Sequence, residues 1–82
     1  MEEIVVAKKI VAGKEIEYSL ILSDFAAGVK ISENNDDFLS CILPDRCDNV
    51  LRLVRKLAEG NVTLVNVSDI LEDYMYELSE KY

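Results

Sequence analysis

The chain contains no histidine, one proline, three glycines and two cysteines in 82 residues. Histidine is the usual proton shuttle near neutral pH and the commonest metal ligand, so its absence argues against acid–base catalysis and transition-metal binding. The two thiols, Cys41 and Cys47, cannot complete a four-ligand zinc site within one chain, and they can form at most one disulfide. The acidic pair Asp36–Asp37 lacks the alternating ligands and closing glutamate of a calcium loop. We therefore expect no cofactor, no metal and no enzymatic activity.

Long apolar runs are also missing. No stretch approaches the roughly 20 apolar residues that a membrane-spanning helix requires. The acidic start, Met1-Glu2-Glu3, lacks the basic region that opens a signal peptide. We expect reduced thiols, a cytoplasmic location and no membrane association.

Basic residues are too few for a nucleic-acid binder. Nine bases against 16 acids give a net charge of −7, whereas phosphate neutralisation needs a basic surface. The negative charge is concentrated in two places: residues 31–44 carry −3, and residues 61–82, with five acids and one lysine, carry −4. A charge-sensitive partner is therefore expected to be a protein, of basic character, that binds one of these two segments.

Half of the residues are apolar, and the length allows a single domain over residues 1–82. The first half is rich in β-branched residues and alternates with a period of two, which predicts strands at about 3–12, 15–23, 28–32 and 38–43. In the second strand, Ile16, Tyr18, Leu20 and Leu22 share one face. Short connections between the strands favour an antiparallel meander.

The second half changes to a helical period. Apolar residues at i, i+3, i+4 and i+7 predict two amphipathic helices, at about 46–59 and 67–80. This spacing puts Cys47 on the buried stripe of the first helix. Asp45 and Asn66 are the predicted N-caps, and Gly60 is the predicted C′ residue. Val65 is placed to form a hydrophobic staple with Ile70, a contact that fixes how the chain enters the second helix. The predicted fold is α+β, in the order β-β-β-β-α-α, with both helices on one sheet face.

The predicted second helix combines acidic side chains with an exposed aromatic residue. Its candidate partner-binding residues are Asp69, Glu72, Asp73, Tyr76, Glu77 and Glu80, and the polar loop before the fourth strand adds Asp36 and Asp37. Acidic side chains around an aromatic anchor are typical of a docking surface for a basic partner. Our leading hypothesis is a non-enzymatic protein–protein interaction or regulatory module of a bacterium.

Two alternatives remain open at this stage. Small acidic single-domain chains include phage- or mobile-element-encoded inhibitors of host defence proteins, such as anti-CRISPR proteins, some of which occupy a basic nucleic-acid channel. The other alternative is a structural homodimer joined through an exposed sheet edge or an apolar helix face. It is motivated by Ile10, Val11 and Ile21, which are too apolar for a free surface.

The segment from Asn49 to Met75 resembles the C-terminal signature of a small uncharacterised domain family of clostridial-type bacteria. Val62-Thr63 opens the shared stretch, and Asp69-Ile70-Leu71-Glu72-Asp73-Tyr74-Met75 matches its end. The family has a proline where this chain has Leu64 and a histidine where it has Asn66. Tyr18-Ser19-Leu20 and Gly28-Val29-Lys30-Ile31 are similar to the family's second and third strands. The resemblance covers about residues 15–76 and implies no activity, because none is established for the family.

Overall fold

The computed structural model describes residues 2–81, with side chains up to residue 80. Its strands are β1 (Glu2–Val11), β2 (Lys14–Leu22), β3 (Ala27–Glu33) and β4 (Asp37–Leu43), followed by helices α1 (Cys47–Glu59) and α2 (Leu64–Lys81). The strands form one antiparallel sheet in the order β1-β2-β3-β4. The predicted α+β fold with the order β-β-β-β-α-α is confirmed. The strand bounds agree with the prediction to within a residue, whereas α2 begins three residues earlier than expected.

Two tight turns set the sheet register. Ala12 and Gly13 have positive φ angles between β1 and β2, and Asn34 and Asn35 have them between β3 and β4. Two consecutive residues of this kind are what a type I′ hairpin turn needs, because its twist matches that of the flanking strands. β1 also carries a bulge between Val5 and Ala7, which shifts its register against β2.

The core lies between one face of the sheet and both helices. Its centre is formed by fully or almost fully buried side chains from β2, β3 and the two helices: Ile16, Tyr18, Val29, Ile31, Val50, Val54, Leu57, Val67 and Leu71. α1 covers β1 to β3, and α2 lies over β3 and β4. The predicted inward face of β2 is therefore the covered one.

Ile21 lies on the uncovered face, yet it is only 6% exposed, so it is covered within the single chain and needs no second copy. It pairs with Gly28, which in turn pairs with Ile42. A Cβ atom built on Gly28 would lie 2.9 Å from Cδ1 of Ile42, so Ile42 fills the space that Gly28 leaves open beside Ile21. Packing across a glycine thus buries an apolar residue without a second layer.

The structure differs from the sequence predictions at the ends of both helices. The N-cap of α1 is Arg46 and not Asp45, whose carboxylate instead accepts hydrogen bonds from the Arg46 N–H and from Asn49. Gly60 has an ordinary negative φ, and the left-handed C′ residue is Asn61. The N–H of Val62 then bonds the carbonyl of Leu57, as in a Schellman motif. The predicted staple is wrong, because Val65 is 79% exposed.

The predicted cap of α2, Asn66, lies inside the helix. The carbonyl of Thr63 accepts the N–H groups of Asn66 and Val67, and the N–H of Leu64 bonds a carboxylate oxygen of Glu33 at 3.1 Å. Glu33 belongs to β3 and is 7% exposed. A carboxylate beside the first residue of a helix satisfies an unpaired N–H and complements the helix dipole. Glu33, a strand residue, therefore caps α2 in place of Asn66, which the sequence pattern predicted.

Candidate functional site

The side of α2 that faces away from the sheet carries a row of exposed side chains. Residues three or four apart share a helix face. We name this row the α2 ridge, and it consists of Val65, Asp69, Glu72, Asp73, Tyr76 and Glu80. Five of these six are predicted partner-binding residues. Val65 is the sixth, and the sequence pattern missed it because the helix was expected to begin at residue 67.

Both apolar members of the ridge project into solvent. Val65 is 79% exposed and Tyr76 is 67% exposed, and acidic residues lie between them. Eleven residues of helix separate the two, which is roughly 16 Å at 1.5 Å per residue. The ridge thus presents two apolar side chains within a negatively charged row.

Glu77 does not belong to this row. It lines a groove between the two helices, together with Arg52 and Lys56 of α1 and Tyr74 of α2. Glu77 is exposed, as the ridge residues are, but it falls on the flank of α2 that faces α1. Its assignment to the partner-binding residues stays a prediction.

The groove has a volume of about 310 Å³. At one end, the carboxylate of Asp45 accepts hydrogen bonds from the hydroxyl of Tyr74 and from the amide of Asn49, which ties α2 to the segment before α1. Arg52 and Lys56 form no ion pair with a described residue. Cations and acids are mixed along this groove, so its charge pattern favours no single class of ligand.

Asp36 and Asp37 are exposed at the hairpin between β3 and β4. The strand residue Glu33 pairs with Asp37 and also bonds the first residue of α2. The hairpin therefore lies at the end of the sheet from which the α2 ridge starts. The two acidic segments predicted from the sequence are neighbours at that end, and Glu80 lies at the far end of the ridge.

The two cysteines are not bonded to one another. Cys41 is half-buried on β4 and Cys47 is exposed at the first position of α1. The prediction that Cys47 is buried is wrong, because the core stripe of α1 begins only at Val50. Residues 2–80 contain no group of three potential metal-ligating side chains, and the expectation that the protein holds no metal stays a prediction. Neither described helix combines the length and apolar character needed to cross a membrane.

The uncovered sheet face carries further apolar side chains at its rim. Val5, Phe38 and Ile42 are 51%, 62% and 47% exposed, and Phe25 in the β2–β3 turn is fully exposed. The ammonium of Lys30 lies 4.8 Å from the centre of the Phe38 ring and 3.1 Å from a carboxylate oxygen of Glu3. Of the three residues that motivated a homodimer, only Ile10 is largely exposed. Val11 packs against the core and Ile21 is buried.

Together these features define a two-layer α+β domain with an exposed acidic helix ridge. Comparison of the chain with protein-family models, with curated protein sequences and with solved structures gave no match. The resemblance of residues 15–76 to the clostridial-type family therefore stays a prediction.

Proposed function

We propose that the protein is a non-enzymatic cytoplasmic interaction module that binds a basic surface of a partner protein through the α2 ridge. The observation that carries this proposal is the exposure of Val65 and Tyr76 within the acidic row. Neither side chain contributes to the core, so both are available to a partner protein. Tyrosine is one of the residue types enriched at interaction hot spots, and the acids beside Tyr76 are placed to attract a basic partner.

The chemistry of the ridge specifies the partner. Its acids attract lysine and arginine side chains, and Tyr76 needs an apolar pocket between them. Attraction between exposed charges weakens at high salt, so we expect the complex to form more slowly at higher ionic strength. The sequence has two cysteines and no spacing pattern of a secreted disulfide framework, which supports the cytoplasmic assignment.

The test is affinity capture from the source organism with three forms of the protein. The ridge variant carries Asp69→Lys and Glu72→Lys. The control variant carries Asp24→Lys and Glu59→Lys, which change the net charge equally at exposed positions outside α2. We expect a partner that the wild type and the control retain and that the ridge variant loses. Equal retention by the two variants, or capture of nothing by the wild type, would contradict the proposal.

The captured partner is then purified and titrated against Tyr76→Ala. Truncation of an interface hot spot costs more than about 1–2 kcal/mol, so we expect at least roughly tenfold weaker binding. Circular dichroism of each variant checks that α2 remains folded. An unchanged Kd would remove Tyr76 from the interface.

The identity of the partner distinguishes this proposal from the inhibitor alternative. A nuclease or another nucleic-acid-handling defence protein, bound through the ridge and released by competing nucleic acid, would assign the protein to the inhibitor class. A partner without a nucleic-acid channel would assign it to the general regulatory class.

A further inference from the structure

The two edges of the sheet differ in how they are protected. β1 carries a bulge between Val5 and Ala7, two lysines at positions 8 and 9, and two glutamates at its start. Bulges and charged side chains are the devices that prevent a sheet edge from pairing with another strand. β4 pairs with β3 in an unbroken register, and residues 38–43 contain neither a charge nor a proline. β4 is therefore the unprotected edge.

The hydrogen-bond pattern identifies the N–H and C=O groups of β4 that point away from β3. The N–H of Asn34 bonds the carbonyl of Glu15, which fixes the alternation along β2 and β3. Since bonded and unbonded pairs alternate in antiparallel ladders, Asp37, Leu39, Cys41 and Leu43 bond to β3. The N–H and C=O groups of Phe38, Ser40 and Ile42 consequently point away from the sheet. The side chains of these three residues are exposed.

We infer that β4 pairs antiparallel with β4 of a second copy of this chain, about a two-fold axis at Ser40. This register places Ser40 opposite Ser40 of the second copy, and Phe38 opposite Ile42 of the second copy. All three outward-facing residues then meet one another, which allows six backbone hydrogen bonds. A shift of two residues along the edge would put Phe38 opposite Pro44, which has no N–H to donate. A shift in the other direction would put Ile42 opposite Asp36, whose N–H already bonds the carbonyl of Glu33. The Ser40-centred register gives an inter-chain partner to each outward-pointing N–H and C=O group.

The outward-facing side chains of β4 support a second copy of this chain as the pairing partner. Phe38 and Ile42 are 62% and 47% exposed, and the pairing covers both of them in each copy. Apolar cross-strand pairs stabilise a sheet, and the small Ser40 side chains allow close approach at the axis.

The flank of α2 on the β4 side is compatible with this approach. Tyr74 and Glu77 face α1, so the opposite flank of the helix lies toward the β4 edge. It carries the exposed, uncharged residues Ser68, Met75 and Ser79, and Glu72 borders it on the side of the ridge. In a protein of net charge −7, this neutral strip lets two copies meet with few like charges in contact. The α2 ridge faces away from the sheet, so formation of the dimer does not depend on the proposed function.

The oligomeric state tests the inference. We expect the wild type to sediment as a dimer at micromolar concentration. Ser40→Lys should give a monomer, because it puts two like charges opposite each other at the axis. Ser32→Lys is the matched control, since Ser32 shares the uncovered face but lies on the interior strand β3. It should remain a dimer. A monomeric wild type, a dimeric Ser40→Lys variant, or loss of the dimer in both variants would overturn the inference, the last by indicating face-to-face packing.

Cross-linking tests the register independently of how Ser40→Lys folds. In a Cys41→Ala, Cys47→Ala background, Ser40→Cys should oxidise to a disulfide-linked dimer, because Cα atoms in a bonded antiparallel pair lie about 5.5 Å apart. Ile42→Cys in the same background should not cross-link to itself, since its two copies would be offset by four residues, or about 13 Å. Cross-linking of Ile42→Cys, or none in Ser40→Cys, would overturn the proposed register.

Discussion

The hydroxyl of Tyr18 on β2 donates a hydrogen bond of 2.7 Å to the carbonyl oxygen of Val62, in the turn between the two helices. Tyr18 is completely buried, so its hydroxyl has no access to water as an alternative partner. Nearby, the ammonium of Lys9 donates to the carbonyl of Ala58 at 2.8 Å. With Glu33, these side chains attach the end of α1, the turn and the start of α2 to the sheet.

Tyr18→Phe tests the first of these attachments. The substitution keeps the ring in the core and leaves the carbonyl of Val62 without its partner. We expect a loss of about 1–3 kcal/mol in the free energy of unfolding, measured by urea denaturation. Tyr76→Phe is the control and should change stability by less than about 0.5 kcal/mol, because Tyr76 is exposed. Equal effects would show that the buried bond contributes nothing specific.

Stability at alkaline pH should depend on the same hydroxyl. Burial raises the pKa of Tyr18 above its ordinary value of 10.0, and the negative charge of Glu33 raises it further. The folded protein keeps this proton while the unfolded chain releases it, so the contribution is complete below pH 10 and decreases above it. Above about pH 10, the free energy of unfolding should decrease more steeply for the wild type than for Tyr18→Phe. Parallel curves would contradict this assignment.

Glu33 should stabilise the start of α2 mainly as a cap. Glu33→Ala removes the acceptor for the N–H of Leu64 and should cost about 1–2 kcal/mol. Glu33→Gln keeps an oxygen acceptor and should retain more than half of that stability. The ion pair with Lys14, at 3.4 Å, contributes little because the Lys14 side chain is 50% exposed.

Thermal unfolding measures this difference, and Glu17→Ala, on the uncovered face of the sheet, serves as the control. A loss in Glu33→Gln as large as in Glu33→Ala would mean that charge, and not the hydrogen bond, is what α2 requires.

Gly28→Ala should destabilise the β3–β4 pair. A Cβ atom at this position would lie 2.4 Å from the carbonyl oxygen of Cys41, so the backbone of β4 would have to move. We expect a loss of about 1–3 kcal/mol in chemical denaturation. Gly60→Ala is the matched control, because its Cβ would lie 3.4 Å from the nearest atom and its φ is ordinary. It should be neutral or stabilise by about 0.4–1 kcal/mol. The reverse order of the two variants would contradict the close approach at Gly28.

Most of the fold could be predicted because it depends on local periodicity. The alternation through Ile16, Tyr18 and Leu20 predicted both the strand and its buried face. The helical spacing of Val50, Val54 and Leu57 did the same for α1. The predictions failed at the ends of the elements, where a single side chain decides and where several side chains can compete. Asp45 was a reasonable cap by pattern, but it bonds Tyr74, which lies 29 residues away in the sequence.

At the candidate site too, predictions from the geometry of one helix succeeded and those that depended on distant contacts failed. Helical spacing was enough to place Asp69, Glu72 and Tyr76 on one exposed face, because that placement depends only on the geometry of a single helix. It could not show that Glu77 lines the groove beside Arg52 and Lys56, since this required knowing which flank of α2 packs against α1. It also could not add Val65, which joined the ridge only because α2 begins at Leu64.

Composition and periodicity were sufficient to predict the class of fold, the order of its elements and the concentration of acidic charge in α2, because both are properties of the chain alone. The first residue of α2, the membership of the ridge and the unprotected sheet edge depend on contacts between distant residues. The first N–H of α2, for example, is bonded by Glu33, 31 residues earlier in the chain. A local sequence pattern cannot predict a contact between two residues that come together only after the sheet has formed.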